Sequence, residues 1–199
     1  MENKGRAEMN ARRGWWLAAI GLAALTAAAA SVLGTQDRAA ATADPKASGS
    51  ALALITSYLT SDNGIFGTVS VPLAPQLPAR AFCSVRIIDS QLDGSQLRVG
   101  TIVYCGEYAR RGGSLLSGES AQEAVVLTLS PATAPTGVTA VLYEPDDAPP
   151  SWFSANYTSA GSAEIQSILI GSANSNLTDP SVEARAAFGL TASAPLDVD

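Results

Sequence analysis

The chain has 199 residues, 47% of them hydrophobic and 15% charged, with two cysteines and no histidine. That apolar content excludes a globally disordered chain, and the missing histidine excludes Ser-His and Cys-His nucleophile activation and every histidine-ligated metal site. Residues 51–199 carry six arginines against fourteen acids, a net of minus eight without a basic stripe, so nucleic acid is not an expected partner.

The basic residues Lys4, Arg6, Arg12 and Arg13 precede a run from Trp15 to Leu33 with no charge and only Thr26 and Ser31 as polar residues. These 19 residues approach the ~20 needed to cross a bilayer as a helix. The positive flank, residues 1–14, is expected to stay cytoplasmic and Trp15 and Trp16 to sit at the interface, which sends the rest of the chain outward. Residues 15–34 are therefore read as a single-pass anchor; the alternative is a cleaved signal, since Ala28-Ala29-Ala30 and Ala41-Thr42-Ala43 offer small-x-small sites. Residues 35–50, rich in Ala, Ser, Thr and Gly, read as a linker, and 51–199 as an extracytoplasmic domain.

Within that domain Leu52, Ile55 and Leu59 recur at helical spacing and Asn63-Gly64 supplies a stop, which predicts a core-facing helix over 51–60. After the proline-punctuated stretch VPLAPQLP, residues 81–89 and 96–108 are rich in β-branched and aromatic residues around an Asp93-Gly94 turn signal, the pattern of a hairpin. RRGGSLLSGES (110–120) reads as a loop, 124–130 and 138–144 as two further strands, and EPDDAPPSW as a second break. GSAEIQSILI places Ile165, Ile168 and Leu169 on one helical face. TDPSVEARAAFG has Asp179 as N-cap, Pro180 at the first helical position and Gly189 as a stop.

The two cysteines lie near the ends of the hairpin, and their relation depends on register. Opposed residues in an antiparallel pair have a constant index sum. A sum of 187, with a two-residue Asp93-Gly94 turn, sets Cys83 against Tyr104. A sum of 188, with a three-residue loop Asp93-Gly94-Ser95, sets Cys83 against Cys105 and Val85 against Val103. Cross-strand Cα separations of ~4.5 to 5.5 Å suit a disulfide, and an even cysteine count in an oxidising compartment favours one. A Cys83–Cys105 disulfide is the expectation; two buried free thiols are the alternative. No metal site is expected, because no histidine assists the thiolates, and no redox site, because C-x-x-C spacing is absent.

Lys4 and Lys46, the only lysines, precede residue 51, so Ser-Lys and Schiff-base chemistry are also absent from the expected domain. Carboxylates are what remains for catalysis: Glu107, Glu119, Glu123, Glu144, Asp146 and Asp147 are the candidates, and such pairs run glycoside hydrolysis. Their positions at loop edges and in a Pro-flanked turn read more simply as solvated acids, so no catalytic residue is assigned. No phosphate loop and no cofactor motif is present. Asn156 and Asn176 lie in N-x-[ST] sequons, which matter only in a host that glycosylates exported proteins.

Residues 80–147 also resemble a group of small exported bacterial domains without an assigned activity. The resemblance rests on a strand with Cys83, a turn, a strand ending in Cys105-x-Glu107-Tyr108, a glycine-serine loop, strands containing Leu127, and a Pro145-Asp turn. It implies a cystatin- or NTF2-like layout, a helix on a curved antiparallel sheet, and an exported address, but no reaction. This chain departs from the pattern by inserting APPSWFSANYTSAG before its next helix.

The expected fold class is α+β: an N-terminal transmembrane helix, then a helix packed on a four-stranded antiparallel sheet with one or two C-terminal helices. The expected function is a membrane-tethered binding or interaction module of the cell envelope, its partner an unidentified envelope protein or small ligand. The alternatives are a carboxylate-based envelope hydrolase and a structural envelope component.

Overall fold

A computed structural model describes residues 45–198 apart from 68, 70, 73 and 172–174. The elements in chain order are α1 (Pro45–Leu59), β1 (Ala79–Asp93), β2 (Gln96–Arg111), β3 (Ser114–Ser130), β4 (Gly137–Tyr143), α2 (Pro150–Asn156), α3 (Ser159–Leu169), α4 (Pro180–Ala187) and β5 (Leu196–Val198). The class is α+β, as the order of patterns implied. Among the described residues no helix is long and apolar enough to cross a membrane. The apolar run 15–34 lies outside the described residues.

The sheet has the order β1-β2-β3-β4, all antiparallel, with β5 joining the first residues of β3 in parallel. The expected four-stranded antiparallel sheet is thus a five-stranded mixed one. Helices cover both faces. Ala51, Ile55 and Leu59 of α1 pack on Cys83, Val99, Val103, Cys105, Val125 and Leu127. On the opposite face Phe153, Tyr157, Ile165 and Ile168 of the α2–α3 region cover Ile102, Ala124 and Val126. Farther along that sheet, α4 sets Ala184 against Phe82, Tyr108 and Leu115. A sheet buried on both faces needs apolar residues at successive positions, which is why GTIVY and AVVLTL are continuous rather than alternating.

Three local readings are corrected by this architecture. Helix α1 begins at Pro45, so the last six residues of the expected linker are helical. The RRGGSLLSGES stretch is a hairpin and not a loop: Gly112-Gly113 form a two-residue turn, with Gly112 at φ 61°, and β3 starts at Ser114 because Leu115 and Leu116 are fully buried. Gly118 belongs to a bulge, where Gly118 and Glu119 together oppose Glu107. The insertion APPSWFSANYTSAG holds α2 and the cap of α3, so three helices follow the main strands where one or two were expected. Asp179, Pro180 and Gly189 behave as read: Asp179 accepts the Ser181 N–H at 2.8 Å, and Gly189 has φ 66°.

The β1–β2 register sets Cys83 against Cys105 and Val85 against Val103, the sum of 188. It arises differently from either turn considered. Asp93 pairs with Gln96, so the turn is the two-residue Gly94-Ser95, with Gly94 at φ 61°, and the sum there is 189. A bulge at Ile88, between the pairs Ile87–Thr101 and Asp89–Gly100, removes one residue and restores 188 at the cysteines.

That bulge also aims Asp89 at the start of α3. Asp89 Oδ2 accepts the Thr158 N–H at 2.6 Å, while Thr158 Oγ1 accepts the Gly161 N–H at 3.1 Å. A carboxylate here satisfies an orphan donor and opposes the positive end of the helix dipole. Asp89→Ala is expected to lower unfolding free energy by about 1 to 2 kcal/mol in urea titration, with Asp89→Asn losing less. An Asp89→Asn protein as stable as wild type would show that the charge contributes nothing.

Candidate functional site

The expected disulfide is present: Cys83 and Cys105 are joined, their Cα atoms 4.1 Å apart, and both are buried beneath α1. Their sulfurs serve as a cross-strand link; no free cysteine remains among the described residues.

The six candidate carboxylates divide into separate environments. Glu107 is buried in β2, and its Oε2 accepts the Glu119 N–H across the bulge at 3.4 Å. Glu119 is exposed. Glu144 accepts the Ala124 N–H at 3.0 Å, which ties the end of β4 to β3. Asp146 and Asp147 are exposed in the turn after β4, where Asp147 has φ 59°. Glu123 is half-buried, and burial first, then the charges of Glu144, Asp146 and Glu119, raises its pKa above the ordinary glutamate range. The fold therefore gathers four acids electrostatically, but among the described residues no group of three acids or cysteines is arranged to hold a metal ion.

The raised Glu123 value has a definite sign for stability. Because the folded state holds the proton more tightly, its contribution is full below the unfolded pKa and is lost as pH rises through the folded one. Glu123→Gln is expected to stabilise the fold at neutral pH by about 0.5 kcal/mol, as a half-buried site allows, and to change nothing in acid below the glutamate range. Urea midpoints measured at both ends check this; an equal gain at both would assign the effect to packing.

Concave surface among the described residues lies elsewhere, along the outer edge of β1. Three adjoining clefts follow it, of about 520, 340 and 330 Å³. The largest has one wall from α1, formed by Leu52, Ala53, Thr56 and Ser57, a floor of Arg80, Ala81 and Phe82, and Glu183 of α4 opposite. The second continues past Cys83, Ser84 and Val85 to Thr178, Asp179 and Pro180. The third extends the other way, from Arg80 and Ala79 to Asp62 and Val69. None of Glu107, Glu119, Glu123, Glu144, Asp146 and Asp147 lines these clefts.

Arg80 stands where two of the clefts meet. Its guanidinium carbon lies 5.1 Å from the Phe82 ring centroid and 5.9 Å from that of Phe188, and the two rings meet edge to face at 5.9 Å. Aromatic faces hold a guanidinium without occupying its N–H donors. Among the described residues Arg80 is the one arginine with no hydrogen-bond or ion-pair partner; Arg86 pairs with Glu164, Arg98 with Asn156, Arg111 with Asp197, and Arg110 and Arg185 with carbonyls. The sequence reading passed over Arg80. The available signal was its two-residue spacing from Phe82, which places both side chains on one face of a strand.

No family model, no curated protein and no solved structure matches this chain.

Proposed function

We propose that this protein is a membrane-tethered extracytoplasmic binding module of the cell envelope, and that the groove between α1, the edge of β1 and α4 is its binding surface. The observation that carries the reading is Arg80, an exposed cation seated on two aromatic rings at the groove's centre, its donors unengaged among the described residues. The address is supported by the basic flank before residues 15–34 and by the disulfide, which suits an oxidising compartment. The resemblance of residues 80–147 to small exported domains supports the same address.

A photo-crosslinking side chain at Thr56 or Glu183 of the full-length protein in intact cells tests the reading. Reproducible products from these positions, and none from Leu142 on the distant β4 strand, are expected. Identical products from all three positions, or none from the groove, would end it.

A second reading, a carboxylate-based hydrolase, has the raised proton affinity of Glu123 beside Glu144 in its favour. It requires glycan hydrolysis that Glu123→Gln abolishes.

A further inference from the structure

Strand β1 stands at one end of the sheet order and, among the described residues, pairs with β2 alone, which leaves its outer edge unpaired there. The Cα separation of 4.1 Å at Cys83–Cys105 is that of a non-hydrogen-bonded antiparallel pair, in which N–H and C=O point away from the partner strand. The alternation gives Ala81 and Val85 the same orientation. The main-chain groups of Ala81, Cys83 and Val85 thus face the groove, and they have no hydrogen-bond partner beyond the sheet among the described residues. Ala81 and Cys83 are buried as residues, and the clefts along the strand are the route by which a ligand reaches their main-chain groups. Buried main-chain groups are otherwise almost always paired.

We infer that the outer edge of β1 is a strand-addition site for an extended peptide bearing a carboxylate, its backbone pairing with Ala81, Cys83 and Val85 and its carboxylate meeting Arg80. This deepens the binding-module reading and rests on it. A row of alternating donors and acceptors at strand spacing is the complement of another polypeptide backbone, not of a lipid or a flat aromatic ligand. The α1 wall offers Ala53, Thr56 and Ser57, small side chains that leave room for those of an added strand. Arg80 is the one cation among the residues lining the three clefts, which also carry Asp62, Asp179 and Glu183, and its planar fork takes a carboxylate bidentately. A second copy fits less well: antiparallel self-pairing centred on Cys83 would set Arg80 opposite Arg86 across the two-fold, on the same face.

The test uses the full-length protein in detergent and the acetylated, amidated pentapeptide Thr-Val-Thr-Val-Asp, with Thr-Val-Thr-Val-Asn as its uncharged match. Amide shifts and hydrogen exchange are followed by NMR. The aspartate peptide is expected to bind about tenfold more tightly than the asparagine one and to protect the Ala81, Cys83 and Val85 amides. Arg80→Gln should erase the tenfold difference while keeping weak binding. Val85→Pro removes an outward donor that the β1–β2 ladder does not use, a position where edge strands accept proline, and should abolish binding of both peptides.

Binding that ignores both substitutions overturns the inference. A dimer in the free protein that Val85→Pro dissociates assigns the edge to a second copy, and protection of these amides in the free chain assigns it to residues 1–44; either overturns it. Absence of peptide binding together with groove-specific crosslinks in cells overturns strand addition and leaves the binding-module reading standing. Absence of both removes both.

Discussion

Replacing both cysteines, Cys83→Ala with Cys105→Ala, is expected to lower the stability of the folded domain by about 3 kcal/mol, the loop-closure value for a link across 22 residues. For a domain of this size that is a fall of roughly 10 °C in Tm. The hairpin should nonetheless keep its register in the double variant. The Gly94-Ser95 turn and the Ile88 bulge set the pairing, and Val85, Val99 and Val103 still bury themselves against α1. Urea unfolding of the oxidised, reduced and double-alanine proteins separates these contributions. Reduced wild type should match the double variant to within the packing cost of the lost sulfurs; oxidised wild type matching it as well would mean that the link constrains nothing in the unfolded chain.

Gly100→Ala is expected to cost about 2 to 3 kcal/mol although it adds one methyl group. A Cβ on Gly100 would overlap the Tyr157 ring and lie 2.6 Å from Asp89 Oδ1. Neither neighbour moves freely. The Tyr157 hydroxyl donates to the Thr101 carbonyl at 3.1 Å, and burial, then the charges of Asp89 and Glu144, pushes its pKa up and keeps it a donor. Asp89 is held by the Thr158 N–H at Oδ2, the same oxygen that a Cβ on Gly161 would approach to 2.5 Å. Gly161→Ala should therefore destabilise as well, against its gain in helix propensity. Gly49→Ala provides the opposite sign: it is a helical position with nothing within 4 Å, so a gain of up to about 1 kcal/mol is expected. Thermal unfolding of the three variants checks the set, and a Gly100→Ala protein as stable as wild type would contradict the crowding.

Strong periodic or β-branched segments were legible: the face of α1, the hairpin, the second half of β3, β4, α3 and α4 all lie where the pattern placed them. Composition misled where short polar residues sit inside structure. Ser114, Ser117, Gly118 and Ser120 belong to a strand that Leu115 and Leu116 anchor in the core, and no local preference announces it. The Cys83–Cys105 pairing was legible for a reason that proved incomplete, since a one-residue bulge compensated a one-residue difference in the turn. The groove was not legible, because it is made by α1, β1 and α4, segments that only the tertiary fold brings together. The carboxylates were visible as residues, but their grouping around Glu123 depends on β3 and β4 pairing.

Strand β5 is brief, yet its position has a consequence for how the molecule is made. It docks on Leu115–Ser117 from 81 positions downstream, Leu196 against Leu115, and the Arg111–Asp197 ion pair fastens the same place. During synthesis the first part of β3 therefore waits with one edge bare while α2, α3 and α4 are still being delivered. At about 5 to 20 residues per second that interval lasts on the order of 4 to 16 seconds. A chain halted anywhere within it exposes a leucine-bearing strand edge, the kind of template on which other chains collect. The safety of the nascent protein thus depends on whatever shields that edge, and the folded form acquires its own shield only when Leu196 arrives.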